Sequence, residues 1–143
     1  MDALTLDRQL CFALYSASRA MTAAYRPILS ELNLTYPQYL VLLVLWEEGR
    51  ITVGRLGERL KLDSGTLSPL LKRLEANGFI RRERSLQDER QVEVTLTPTG
   101  QKLESRAQCI PEKLGALTGI TEQQAADLRD AVRRLTDALT ASQ

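Results

Sequence analysis

Two thiols are the side chains with the most evident chemistry in this sequence. Cys11 and Cys109 are the only cysteines among 143 residues, and histidine is absent. Nucleophilic schemes that need histidine are therefore excluded, and two cysteines alone cannot complete a zinc site. Cysteines this far apart are more typical of free thiols in a reducing compartment than of a structural disulfide. We expect no metal and no cofactor.

Cys11 has two interpretations. As a thiolate, it would attack a peroxide and become a sulfenic acid, which then condenses with another thiol or is oxidised further. As a small apolar side chain, it would be buried in a helix without any redox role, which is the usual situation for a lone cysteine.

The composition is that of an ordinary globular protein. Hydrophobic residues make up 43% of the chain and charged residues 26%. We expect a single domain over residues 1–143. The longest apolar run, residues 39–46, is too short to cross a bilayer, and no signal peptide is evident. These features predict a cytoplasmic protein without membrane contact, and no general base or cofactor motif indicates an enzyme.

The ends of the chain predict amphipathic helices over about 5–29 and 98–141. Between them, a capping box of Thr35 with Gln38 predicts the start of a second, nearly all-apolar helix. Thr97 and Pro98 predict the start of a further helix, in which Pro111 predicts a kink. Thr121 with Gln124 predicts the start of the last helix.

The middle of the chain predicts a winged helix-turn-helix. Thr52 caps a short helix, Asp63 or Ser64 caps a second, and Asn77-Gly78 ends it, so the helix-turn-helix spans about 52–77. The hydrophobic period then changes to two over about 79–96, which predicts a two-stranded hairpin, the wing, with a charged tip. The fold class is therefore mainly α with a small β-hairpin wing.

The charge distribution indicates a DNA-binding surface. Between Ile51 and Arg84 there are eight Lys or Arg and four acidic residues, a local charge of +4 within a chain of net charge +1. This segment is where a winged helix-turn-helix would contact double-stranded DNA. Chance clustering on a solvated surface is the alternative.

Particular side chains are candidates for DNA contacts. Hydroxyls at the start of the second motif helix would contact base edges or phosphates, and the cations near its end and along the wing would contact phosphates. Arg90 would enter the minor groove, with Asp88 orienting it. Simple helix capping and solvated charge are the alternatives. The candidates besides these two are Ser64, Thr66, Ser68, Lys72, Arg73 and Arg84.

The terminal helices predict a homodimer. Their apolar stripes lie outside the helix-turn-helix, and interleaving with a second copy would bury them. Two recognition helices would then reach successive major grooves of a near-palindromic operator. A monomer whose terminal helices fold back on its own core is the alternative.

Four stretches resemble the organic hydroperoxide resistance regulators of the MarR family. They are QLCFALY at 9–15, LTYPQY at 34–39, LDSGTLSPLLKR at 62–73 and DER at 88–90. The resemblance implies a dimeric, six-helix MarR-like repressor that leaves its operator when organic hydroperoxides oxidise Cys11. It also implies that Tyr25 and Tyr36 donate hydrogen bonds to the sulfur. Because fourteen residues, or about 21 Å of helix, separate Cys11 from Tyr25, the two would meet only across the dimer.

Several alternatives remain open. Some members of this branch resolve the sulfenic acid with a cysteine of the partner's C-terminal half, so Cys109 is either that thiol or a passive one. The repressor could instead respond to a small aromatic ligand without thiol chemistry. A thiol peroxidase that turns over at Cys11 and a helical interaction module without DNA are further alternatives.

Overall fold

A computed structural model describes residues 2–142. The elements in chain order are α1 (Leu10–Ser30), α2 (Tyr36–Glu48), β1 (Arg50–Thr52), α3 (Val53–Leu60), α4 (Ser64–Ala76), β2 (Ile80–Arg84), β3 (Val92–Leu96), α5 (Pro98–Ala107), α6 (Ile110–Thr118) and α7 (Glu122–Ala141). The chain divides into two compact units, the first ending at Ile110 and the second beginning at Pro111. Within residues 2–142, no helix is long and apolar enough to span a bilayer.

The predicted helix starts are confirmed where a capping residue defines them. Gln38 N donates to Thr35 Oγ1 at 3.4 Å and Thr35 N donates to Gln38 Oε1 at 3.0 Å, which is a complete capping box at α2. The same pair of bonds joins Thr121 to Gln124 at α7. These bonds satisfy amides that the first helical turn leaves without partners.

The start of α1 differs from the prediction. The helix begins at Leu10 and not near residue 5, because two short 3-10 turns precede it. The Gln9 side chain donates to Ala3 O at 2.7 Å and to Thr5 O at 2.9 Å. These local bonds stabilise the two turns, so the regular helix starts only after them.

The predicted kink at Pro111 is a break. Helix α5 ends at Ala107 and α6 begins at Ile110, with Gln108 and Cys109 between them. Pro111 therefore lies in the first turn of α6, where its missing N–H removes no hydrogen bond. Helices α5 and α6 together occupy the place of one helix in the prediction. By contrast, α4 continues without interruption through Pro69.

The wing belongs to a three-stranded antiparallel sheet and not to an isolated hairpin. Strand β3 is central and pairs with β2 and with β1, in the order β1-β3-β2. Ile51 lies opposite Val94, and Arg82 lies opposite Val94 on the other side. The three residues of β1 are too few to show a period of two, so the sequence pattern did not reveal this strand.

The core of the first unit surrounds α2. Val41, Leu42 and Leu45 are fully buried, and residues from α1, α3, α4 and the sheet pack around them. Helix α1 contributes one buried residue, Leu29, near its C-terminal end. Tyr25 and Ile28 are partly buried against the core, whereas Leu10, Phe12 and Met21, nearer the N-terminal end, are exposed.

Candidate DNA-binding surface and thiol site

The turn between α3 and α4 is held by close backbone packing. Leu62 N donates to Gly57 O at 3.0 Å, and Lys61 adopts a left-handed conformation with φ of 58°. A Cβ added at Gly57 would lie 2.9 Å from Leu62 O, so a larger residue would push the helices apart. The angle between the two motif helices therefore depends on this glycine.

Asp63 is the residue that caps the recognition helix α4. Its Oδ1 accepts from Thr66 N at 2.7 Å. This amide bond, followed by the Thr66 hydroxyl, lowers the pKa of the Asp63 carboxyl. Because Asp63 supplies the cap, the exposed Ser64 and Ser68 are not required for that role. Further along α4, Lys72 and Arg73 are also exposed, and no ion pair to either lies within residues 2–142.

The tip of the wing is ordered by its own side chains. The buried Ser85 accepts at Oγ from Gln87 N at 3.2 Å and from Asp88 N at 3.3 Å. Asp88 Oδ1 in turn accepts from the backbone N and from Nε of Arg90, both at 3.1 Å. The Arg90 side chain is 91% exposed, and these contacts hold it beside Asp88. Arg84, at the end of β2, donates to Glu89 O at 2.9 Å.

Glu75 joins α4 to the wing. Its carboxylate accepts from Arg82 N at 3.0 Å, from Arg82 Nε at 3.2 Å and from Arg82 Nη2 at 3.0 Å. The Arg82 side-chain bonds, followed by the Arg82 amide, lower the pKa of Glu75. Because Oε1 accepts both guanidinium bonds and Oε2 accepts the backbone bond, this charge-assisted contact fixes β2 against the recognition helix. The sequence showed only two opposite charges seven residues apart, so this link was missed.

The predicted basic excess is partly neutralised by acids that lie just before the segment. Arg59 contacts both Glu47 and Glu48, and Arg55 Nε lies 3.2 Å from Glu48 Oε1. These pairs connect α3 to the end of α2. The count over residues 51–84 therefore overstated the charge available to DNA, because it excluded these two acids.

A groove of about 450 Å³ lies between the start of α3, the recognition helix and the wing. Leu71 is among its apolar residues, and its polar lining consists of Thr52, Ser64, Ser68, Arg82, Arg90 and Gln91. The groove therefore has two guanidinium groups and three hydroxyls at the surface where DNA contacts were predicted.

Both cysteines are free and exposed in this chain. Cys11 is the second residue of α1, and α1 is one continuous helix from Leu10 to Ser30. Tyr25 is therefore about 21 Å further along the same helix axis, and one chain alone does not bring the two together. Cys109 lies in the break between α5 and α6, with Sγ 3.5 Å from Arg106 O. Its thiol makes no other polar contact within residues 2–142.

Three tyrosines, which we call the tyrosine cluster, join α1 to α2. The ring centroids of Tyr25 and Tyr36 are 4.7 Å apart, and that of Tyr39 lies 5.8 Å from Tyr25. Burial, followed by the neighbouring Tyr36 and Tyr39, raises the pKa of Tyr25 to about 12. Burial also raises the pKa of Tyr36. Both phenols are thus protonated donors at neutral pH, and within residues 2–142 no hydrogen bond engages either hydroxyl.

The long terminal helices expose large apolar side chains. On α1, Leu10 is 62% exposed, and Phe12, Tyr15 and Met21 are also exposed. On α7, which has no buried residue, Leu128 and Leu139 are each 57% exposed. Apolar area of this extent along two helices is typical of an interface.

Known proteins share this architecture. Residues 23–106 match the family model of the transcriptional regulators SarA/Rot. The organic hydroperoxide resistance transcriptional regulator of Bacillus subtilis strain 168 is 51% identical over 128 residues, which cover 90% of this chain and 85% of that protein. The regulator TtmR of Methylorubrum extorquens strain PA1 is 51% identical over 140 residues, which cover 98% and 72% of the two chains.

A solved structure agrees with these relatives. Reduced AbfR bound to DNA is 35% identical, with a TM-score of 0.81 over 99% of this chain and 96% of that one. AbfR comes from Staphylococcus epidermidis. These matches confirm the winged-helix fold and the resemblance seen in the sequence. The chain belongs to the MarR family of transcriptional regulators, in the branch of the organic hydroperoxide resistance regulators.

Proposed function

We propose that the protein is a DNA-binding transcriptional repressor that releases its operator when an organic hydroperoxide oxidises Cys11. The observation that carries the proposal is the pair Tyr25 and Tyr36, whose rings touch at 4.7 Å and whose protonated hydroxyls have no partner within residues 2–142. The family places a cysteine, the exposed Cys11, opposite such phenols. The protein would act in the cytoplasm, where its operator is.

A homodimer completes this site. An antiparallel crossing of two copies of α1 would bring Cys11 of one protomer to the tyrosines of the other. The exposed Leu10, Phe12 and Met21 would be buried by the same crossing. The paired recognition helices would then contact a near-palindromic double-stranded operator.

The chemistry at sulfur needs no cofactor. The Cys11 thiolate attacks the terminal oxygen of the hydroperoxide, the O–O bond breaks, and the alkoxide leaves as an alcohol after it takes up a proton. Sulfur is oxidised to a sulfenic acid and the peroxide is reduced. Tyr25 and Tyr36 donate hydrogen bonds to the thiolate. The sulfenic acid then condenses with a second thiol, either Cys109 or a small external thiol, and water is released.

The DNA contacts follow from the exposed groups of α4 and the wing. Ser64, Thr66 and Ser68 would contact base edges or phosphates from the start of the recognition helix. Arg90, oriented by Asp88, would enter the minor groove. The remaining phosphate contacts would come from Lys72, Arg73 and Arg84.

The groove beside α4 favours one second candidate function. Two guanidinium groups, Arg82 and Arg90, face a space of about 450 Å³ that also has apolar lining. A small aromatic acid bound there would compete with DNA for the same surface. In that case release would require no thiol.

Replacement of Cys11 by serine separates the two functions. Operator affinity would be measured by fluorescence anisotropy on the promoter of the protein's own gene, before and after cumene hydroperoxide. We expect the wild type to be released and Cys11→Ser to remain bound. Release of Cys11→Ser by peroxide would contradict thiol sensing.

Cys109→Ser serves as the matched control, because it removes the other exposed thiol. It should still be released when a small external thiol is supplied. Intact mass under non-reducing conditions then assigns the role of Cys109, since an intersubunit disulfide appears only if it resolves the sulfenic acid. A separate assay of the peroxide left in solution counts the peroxides consumed, which is about one per thiol for a sensor and many for a peroxidase.

A further inference from the structure

Trp46 lies outside the proposed thiol site but contacts the tyrosine cluster. It is the only tryptophan of the chain and stands near the end of α2. Its ring centroid is 6.4 Å from that of Tyr39, which in turn is 5.8 Å from Tyr25. The opposite edge of the indole is polar, and Nε1–H donates to Gly100 O at 3.0 Å. Trp46 therefore connects the cluster to the first turn of α5.

The first turn of α5 is pressed against the base of the wing. A Cβ added at Gly100 would lie 2.1 Å from Phe79 O, so the two backbones are in direct contact. Gly100 N donates to Thr97 Oγ1 at 3.1 Å, and Thr97 N donates to Phe79 O at 3.1 Å. A displacement of Gly100 cannot be absorbed here, because no free space separates it from Phe79.

Phe79 is in turn bound to the recognition helix. Its backbone N donates to Leu74 O in the last turn of α4 at 3.1 Å, and the next residue, Ile80, begins β2. Phe79 is thus the junction between the recognition helix and the wing. Contiguous contacts run from Tyr25 and Tyr39 through Trp46 to this junction.

We propose that Trp46 is a positioning residue that transmits the state of the tyrosine cluster to the junction of recognition helix and wing, through its hydrogen bond to Gly100. The inference rests on the proposed function and adds the route by which oxidation reaches the DNA-binding surface. When sulfur chemistry moves Tyr25 or Tyr36, the packed rings displace Trp46, and the hydrogen bond carries the displacement to Gly100.

Trp46→Phe tests the route because it keeps an aromatic ring beside Tyr39 and removes the N–H donor. The reduced variant should bind the operator within about two-fold of the wild type. The loss of affinity caused by cumene hydroperoxide should be about five-fold smaller than in the wild type, which is the effect expected for one neutral hydrogen bond. A purely structural role for Trp46 would lower affinity in both redox states and leave their ratio unchanged.

Intrinsic fluorescence supplies a second measurement that needs no variant at position 46. When excited at a wavelength that tyrosine does not absorb, emission of the wild type reports on Trp46 alone, and it should shift after peroxide treatment. Cys11→Ser should show no shift. The route is overturned if peroxide still releases the wild type but its emission does not change. It is also overturned if folded Trp46→Phe has the same ratio of reduced to oxidised operator affinity as the wild type. If peroxide does not release the wild type, the proposed function itself fails, and the route fails with it.

Discussion

Replacing Arg90 with alanine should weaken operator binding and also make it less sensitive to salt. Arg90 is 91% exposed at the wing tip and is held there by Asp88. One lost DNA contact per wing removes two per dimer, so the slope of log K against log salt should fall by about 1.8. Between roughly 50 and 200 mM salt, the ratio of wild-type to variant operator affinity should then fall about twelve-fold. The Asp88 carboxylate offsets part of the Arg90 charge, so this change is an upper limit.

The assay is fluorescence anisotropy with a labelled operator, titrated at four salt concentrations under reducing conditions. Arg133→Ala is the matched control, because Arg133 is an exposed arginine on α7, 3.9 Å from Asp130 and outside the winged helix-turn-helix. Its removal should leave the slope unchanged. If folded Arg90→Ala keeps the wild-type slope, the wing tip does not contact DNA and the assignment of Arg90 is wrong.

Two further predictions concern stability. Gly100→Ala should lower the free energy of unfolding by roughly 3 kcal/mol, because its Cβ would meet Phe79 O. Gly115→Ala in α6, where a Cβ meets nothing within 4 Å, should raise the free energy of unfolding by about 0.5–1 kcal/mol. If urea denaturation shows the same effect for Gly100→Ala and Gly115→Ala, the packing argument is wrong. Burial raises the pKa of Tyr25 to about 12, whereas a phenol in the unfolded chain has a pKa of ~10. The contribution of Tyr25 to the free energy of unfolding is therefore fully present below pH ~10 and is lost as the pH rises toward 12. Tyr25→Phe should lose less stability over that window, and an identical pH profile would refute this.

Local signals in the sequence predicted most of the fold. Capping residues such as Thr35 and Thr121 bind the first amides of their own helix, so their effect is contained within four residues. The change of period at the wing is equally local. Pro111 was misread as a kink because a proline that starts a helix and one that bends a helix look alike in sequence.

Contacts between distant segments were not predictable in the same way. The link from Trp46 to Gly100 and the pairing of Arg59 with Glu47 and Glu48 depend on how helices pack. Charge counted along the chain therefore overestimated the charge presented at one face. Of the thiol site, helical spacing predicted only that Cys11 and Tyr25 are far apart; the roles of Tyr25 and Tyr36 came from family resemblance.

The central position of β3 separates the register of the sheet from the shape of the wing tip. Because β3 pairs with β1 on one edge and with β2 on the other, its alignment is set twice, by Arg50–Thr52 and by Ile80–Arg84. Insertions, deletions and substitutions at residues 85–91 therefore need not shift the register of strand pairing. If the tip contacts the operator as proposed, operator preference can diversify there over evolution while the scaffold that carries it stays unaltered.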